Sequence, residues 1–369
     1  MATVNELIRD EMIRHATALD GYSNNVVVRI MAILNRSNAR MAAELAEILA
    51  GVDAPNLKAE RLTSMLASVR SMIAGGNAEM GEKLLNELKV FVDYETAYLN
   101  QMLLSFTPAS VHIASVSTAA VYSAAMSRPF QGVLLREAWK DLAAQTFKQV
   151  RQSIAQGFLE GKTTDQIIRE LRGTKAKGYA DGLLQKSRRD VEAVVRTALG
   201  HVAGNAHDAF YAKNSDVLKG LKWSATLDLR TTPVCRIRDG KLYTPETHKP
   251  IGHEIPWGAG PGRLHWRCRS ASIPVVKSNK ELGIDLPDLE LRNKSRASMD
   301  GQVPPDTSYG DWLKKQSAAR QDEVLGQTRA RLMRDGKLDL ADMYSHKGVF
   351  LTLDELRQRD KRAFELAGL

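Results

Sequence analysis

Both cysteines of the chain, Cys235 and Cys268, fall inside one stretch, Trp223 to Val276, together with His248, His253 and His265. These are the side chains whose types and spacing could do chemistry. His265 stands three residues before Cys268, and His-x2-Cys lets two donors reach one ion. A second strand would bring Cys235 across a sheet, with His253 or His248 as the fourth donor. Cys235, His253, His265 and Cys268 are therefore the candidate structural zinc set, and zinc is the one cofactor the sequence suggests. Zinc sites usually pair Cys-x2-Cys knuckles, and here one side is a single cysteine. Reduced thiols packed as small apolar groups, and a disulfide formed after release from the cell, stand beside the zinc reading. A thiol nucleophile would need a histidine within hydrogen-bond reach. Three residues along a strand place His265 and Cys268 on opposite faces, which leaves Cys235 with His265. No orienting acid or oxyanion device accompanies that pair, so no catalytic residue is expected.

The same region is basic. From Lys175 to Arg296 there are 22 Lys/Arg against 13 Asp/Glu, equal to the net charge of +9 of the whole chain. A basic segment beside a nearly neutral one favours an anionic partner, nucleic acid first. Arg188, Arg189, Arg230, Arg236, Arg238, Arg263, Arg267 and Arg269 are the candidate phosphate contacts. Trp257 and Trp266 could stack on bases, although burial in a small core is the more usual use of Trp.

The elements that must position these residues are mostly helical. Between Val4 and about Leu104, apolar residues such as Leu84, Leu88, Phe91, Val92, Leu99 and Met102 recur at helical spacing. Gly51, Pro55 and Gly75-Gly76 punctuate this region, which predicts three or four long helices. Further helices are expected after Pro108, from about Leu134 to Glu160, and after a capping box at Thr163 and Gln166. GFLEGKT is not a phosphate loop, because Gly157 and Gly161 enclose three residues where the motif needs four and no strand precedes it. Lys175 to Arg189 reads as a basic glycine-containing loop, followed by a helix from Asp190 to Lys213. Leu221–Leu227 and Arg269–Val276 alternate as strands, the latter with Ala271, Ile273 and Val275 on one face. Asp239-Gly240 marks a tight turn between them, and Trp257–Gly262 reads as an exposed loop. Residues 298–308 form a linker by composition. Short helices follow, whose Leu325, Leu332, Leu338 and Leu340 clip the tail onto the core or onto a neighbouring subunit.

Composition excludes other classes. At 369 residues and 43% hydrophobic the chain can bury a sizeable core. Its longest weakly polar runs, Val111–Met126 and the Arg29-interrupted Val26–Leu34, fall short of the roughly 20 apolar residues of a membrane span, so no stable membrane insertion is expected. The N-terminus lacks the basic-then-apolar order of a secretory signal, which predicts synthesis in a reducing cytoplasm. The fold class expected is mainly α with a small α+β domain: long N-terminal helices, a compact domain with a small antiparallel sheet, and a helical C-terminal tail.

RTTPVC, the following RDGKLY, and HWRCRS together resemble the Mu F-like minor head proteins of tailed bacteriophages, a family of phage head morphogenesis proteins. The likeness rests on Thr232 in a Thr-rich cysteine strand, on the Asp239-Gly240 turn, and on the His-x2-Cys-Arg ending. It extends upstream to SRPFQGVLL, EGKTTDQIIRELRGT and VVRTALGHVAGNA, and downstream through YGDWLKKQSAARQDEVLGQTRARLMRDGKLDLADM to LTLDELRQRD. Where the family often ends Cys-Arg-Cys, this chain has Ser270. The resemblance implies a variable helical region over 1–126, a head morphogenesis domain over 127–297, and a linker with helical tail over 298–369. It also implies a non-enzymatic virion protein at the portal vertex inside the head, acting in head assembly and in DNA packaging or ejection, in several copies. The implied partners are the portal protein, packaged double-stranded DNA, and scaffold or capsid protein, with the host cytoplasm as the site of assembly. A metal-dependent nuclease or a toxin-type enzyme delivered with the genome is the alternative.

Overall fold

A computed structural model of the protein describes residues 2–50, 59–285, 290–291 and 295–369. The chain opens with β1 (Ala2–Thr3), α1 (Val4–Ala50), α2 (Ala59–Phe106), α3 (Thr118–Ser127), α4 (Leu135–Leu159), α5 (Thr164–Arg172) and α6 (Leu184–Lys213). Next come β2 (Leu218–Ser224), α7 (Pro233–Arg236), β3 (Leu242–Tyr243), β4 (Pro250–Ile251), β5 (Ala271–Val276) and β6 (Glu290–Leu291). The C-terminal part holds β7 (Arg296–Ser298), β8 (Gly301–Val303), α8 (Tyr309–Lys314), α9 (Ala318–Leu325), α10 (Gln327–Arg334), α11 (Leu353–Arg359) and α12 (Lys361–Leu366). The fold is thus mainly helical with a small antiparallel sheet, ordered β4-β3-β2-β5, as the hydrophobic periodicity predicts.

Two compact units divide the chain. One comprises Asp20–Val92 and Tyr122–Val202; the other comprises Met1–Leu19, Asp93–Val121 and Ala203–Leu369. In the first, Met41, Leu45, Met65, Val69 and Ile73 pack with Val150, Ile154, Ile167, Leu171 and Leu184. Three or four helices were expected up to Leu104, and two long ones span most of that region. Gly75-Gly76 does not interrupt α2, because Gly76 serves close packing: a Cβ there would stand 2.2 Å from the Ser37 Oγ of α1. Gly51 and Pro55 lie outside the described residues. Thr163 caps α5 by accepting from Gln166 N, while the Gln166 side chain accepts from Thr163 N. The basic loop is shorter than expected, since α6 starts at Leu184 and takes in Arg188 and Arg189.

The second unit carries the sheet and the tail. Strand β2 pairs antiparallel with β5, Trp223 opposite Ser272 and Leu221 opposite Pro274. Both faces of β5 are covered, with Ser272, Ile273, Pro274 and Val276 all buried, so the single apolar face read at Ala271, Ile273 and Val275 is too simple. Gly240 adopts φ +77°, the left-handed region that favours glycine, and its N–H donates to Trp223 O at 2.8 Å. The turn therefore forms as predicted, but it joins a helical turn to β3. Residues 298–308 are not a plain linker, because β7 and β8 make a hairpin with Arg296 opposite Val303. Leu325, Leu332, Leu338 and Leu340 pack against Leu227, Ile237 and Ile255 of this same unit, which decides between the core and a neighbouring subunit in favour of the core.

Two buried polar knots tie distant segments of this unit. Glu95, wholly buried, accepts from His15 Nε2 at 2.9 Å and His207 Nε2 at 2.7 Å. His207 Nδ1 lies 3.1 Å from Ser272 Oγ, so α1, α2, α6 and β5 meet at one carboxylate. Arg296 forks onto Asp239 with contacts of 2.9 and 2.7 Å, and its remaining donors reach Thr307 O and Ala225 O. Asp239 in turn accepts from the backbone N–H groups of Ala225 and Tyr309. One buried pair so links the turn, the hairpin and the start of the tail.

Candidate functional site

The RTTPVC segment is a helical turn rather than a strand. Pro233 sits at the first position of α7, where its fixed φ suits a helix and its missing N–H leaves nothing unsatisfied. Thr232, extended just before it, makes no side-chain cap. Its hydroxyl instead lies 2.9 Å from His265 Nε2. One turn of α7 buries Cys235 beneath it.

His265 and Cys268 were expected on opposite faces of a strand. They lie in a tight turn that precedes β5, closed by Cys268 N donating to His265 O at 3.1 Å, with Arg267 between them at φ +58°. The reversal returns both side chains to the same side. Sγ of Cys235 stands 3.2 Å from His265 Nε2 and 3.8 Å from Cys268 Sγ. The three ligand atoms all lie within 4.8 Å of one another. Hydrogen bonds donated by the Cys235 thiol and the His265 ring hold the Cys268 sulfur well below the ordinary thiol range. The Cys268 contact and burial push Cys235 the other way, and the hydrogen bond to Cys268 raises His265. The cluster is thus polarised, with negative charge favoured on the Cys268 sulfur and positive charge favoured on the His265 ring.

His253 is not part of the cluster. Its Nε2 donates to Leu242 O at 2.9 Å, and its Nδ1 accepts from Ile255 N at 3.1 Å. Both ring nitrogens thus fasten the loop after β4 and none is left for an ion. His248, the other fourth donor weighed, stacks on Trp257 at 4.7 Å between centroids and faces Asp208.

Above the cluster a small pocket of about 20 Å³ is lined by Thr226, Thr231, Thr232 and Ser270, by Cys235 and His265, and by Arg230, Arg267 and Arg269. Arg269 grips Asp228 with contacts of 2.6 and 2.9 Å. Burial alone would raise the Asp228 carboxyl, but the Arg269 fork outweighs it and holds the group below its ordinary value. Arg230 stands 3.8 Å from the same carboxylate with its side chain 83% exposed.

The arginines read as phosphate contacts divide sharply. Arg236 is buried, donating to Thr231 O at 2.6 Å and Val324 O at 3.0 Å and lying over the Tyr309 ring. Arg238 is buried against Pro256 O and over Trp223. Arg263 is buried against Ala259 O and Asp208. These three hold the fold together and present no surface charge to a duplex. Arg189, Arg230 and Arg267 are exposed, while Arg188 and Arg269 are half-buried. Trp257 is buried beside Trp223 and Tyr243, so Trp257–Gly262 is not the exposed loop expected; Trp266 is exposed.

Sequence reasoning missed Thr232 as a partner of His265 and missed the Glu95 knot. The first carries no local signal. The second does, since Glu95 lies four residues from both Phe91 and Leu99 on the apolar stripe of α2, where a carboxylate needs partners to be buried.

Among the described residues no helix is long and apolar enough to cross a membrane. No curated protein and no solved structure matches the chain. Residues 148–273 match the family of phage Mu protein F like proteins, and this segment, which carries Cys235, His265, Cys268 and the sheet as far as the first half of β5, is therefore Mu F-like.

Proposed function

We propose that the protein is a non-enzymatic head component of a tailed bacteriophage, seated inside the capsid at the portal vertex and touching packaged DNA. The observation that carries this reading is the Mu F-like match over 148–273, the stretch that holds the Cys–His knot. The knot's buried arginines end on backbone carbonyls or an internal carboxylate, a pattern that supports an architectural task. Among the described residues, the cluster of His, Cys, Asp or Glu at ligand distance contains no carboxylate. That weighs against the nuclease alternative, because Mg²⁺ takes oxygen ligands, usually Asp or Glu.

DNA contact rests on Arg189, Arg230 and Arg267. Two or three phosphate contacts give sequence-independent binding whose log K falls with log salt at a slope of roughly −2 to −3. Mass spectrometry of purified particles tests the location: the chain co-sediments with intact heads and with portal protein. Its absence from mature particles, or cleavage of DNA by the purified chain with Mg²⁺ or Mn²⁺, refutes the reading.

A further inference from the structure

We propose that Cys235, His265 and Cys268 bind one Zn²⁺ through three protein ligands, with the fourth position opening into the basic pocket and taking an anionic oxygen. A tetrahedral zinc with sulfur at about 2.3 Å and nitrogen at about 2.0–2.1 Å sets sulfur atoms about 3.8 Å apart and sulfur and nitrogen about 3.6 Å apart. The two Sγ atoms stand 3.8 Å apart and Cys235 Sγ lies 3.2 Å from His265 Nε2. Two edges of the tetrahedral face are thus in place to within a few tenths of an ångström, and all three donors lie within 4.8 Å of one another.

The ring of His265 is set for the purpose. Its Nδ1 lies 2.9 Å from Trp266 O, and a carbonyl oxygen only accepts. The proton therefore sits on Nδ1, and in the neutral ring the Nε2 lone pair faces the sulfurs. A backbone carbonyl behind a ligating histidine is the usual outer-shell device that fixes tautomer and orientation. The Thr232 hydroxyl, 2.9 Å from Nε2, is a rotor that can turn its proton to the Cys235 thiolate when the metal takes the lone pair. Zinc takes thiolates and a neutral imidazole, so binding releases whatever protons these ligands carry.

Among the described residues no fourth ligand joins the three, so the fourth position is left to a group from outside. His253 is engaged at both nitrogens, and the pocket wall adds hydroxyls and arginines but no further Cys, His or carboxylate. Two thiolates neutralise Zn²⁺, so the positive charge of Arg230 and Arg267 at the mouth favours an anion at the open position. The cavity itself, about 20 Å³, has room for about one water-sized group, so what enters is a single oxygen, as one corner of a phosphate would supply.

The test uses the full chain, purified reduced and metal-free, and titrated with Zn²⁺ and then with Co²⁺ as an optical probe. One equivalent is expected to bind, with sulfur-to-cobalt charge transfer and tetrahedral d–d bands that shift when inorganic phosphate is added. His253→Ala keeps one equivalent, whereas Cys268→Ser and His265→Gln weaken binding by at least about 100-fold. X-ray absorption on the zinc-loaded wild type, which needs no variant to fold, is expected to give two sulfurs, one nitrogen and one light exchangeable ligand. No metal uptake, an octahedral cobalt spectrum, or a second histidine nitrogen in the zinc shell overturns the proposal. Bands that ignore phosphate overturn its anion half. None of these outcomes touches the virion role, which stands or falls on the particle experiment.

Discussion

Glu95→Gln is expected to unfold the unit that carries the sheet more easily at neutral pH and to lose that difference in acid. Burial alone would raise the Glu95 carboxyl; hydrogen bonds from His15 and His207 outweigh it and hold the group down at about 2, against an ordinary 4.5. At about 1.4 kcal/mol per pKa unit, that depression corresponds to about 3 kcal/mol of stability. The folded value lies below the unfolded one. The contribution is therefore complete above the unfolded value of about 4.5 and disappears as pH falls from about 5 toward 2. Other groups face the knot: Tyr98 stacks on His15 with centroids 3.5 Å apart, and Tyr211 packs on His207. Burial drives both phenols upward, so they stay neutral through this window. The substituted amide would offer one oxygen to one ring and confront the other ring's N–H with a donor. Melting followed at pH 7, 5 and 3 is expected to show a deficit of roughly 6–12 °C at pH 7 for a unit of this size, falling to about two fifths of that at pH 3, where the folded carboxyl is still largely ionised. Equal melting at pH 7, or a deficit at pH 3 as large as that at pH 7, would show that the two histidines do not stabilise an ionised carboxylate.

Three further outcomes follow from the packing. Gly75→Ala should stabilise α2 by about 0.5–1 kcal/mol, since nothing lies within 4 Å of a Cβ there, whereas Gly76→Ala should cost about 1–3 kcal/mol through its clash with Ser37; urea midpoints of the neighbouring variants separate the two. Arg296→Leu leaves Asp239 buried and unpaired and should cost about 3–5 kcal/mol, releasing the tail to limited proteolysis near residues 298–308, with partial recovery in the double variant Arg296→Leu/Asp239→Leu. Arg230→Ala and Arg267→Ala should each flatten the salt dependence of DNA binding by about one unit of slope with melting unchanged, whereas Arg236→Ala should lower the melting temperature; a uniform loss of DNA binding without destabilisation at Arg236 would contradict its buried role.

Much of this molecule is local physics and could be read from the residues alone. The apolar stripe of α2, the Thr163 cap of α5, the buried Val191, Val194, Val195, Ala198 and Val202 of α6 and the Gly240 turn depend on neighbours within a few positions, which a sequence states outright. The gathering of Cys235, His265 and Cys268 in one region was legible for the same reason. Which donors converge was not. His265 reaches Cys235 because Pro233 starts a helical turn and Arg267 takes a positive φ, while His253 is turned away by bonds to Leu242 and Ile255. The same limit governs the arginines. A sequence counts their charge, but only the folded backbone decides which carbonyls consume it at Arg236 and Arg238 and which side chains, such as Arg230, stay in water. Periodicity is a property of adjacent residues. Convergence and desolvation are set by segments far apart in the chain, and they come into being only when the chain has folded.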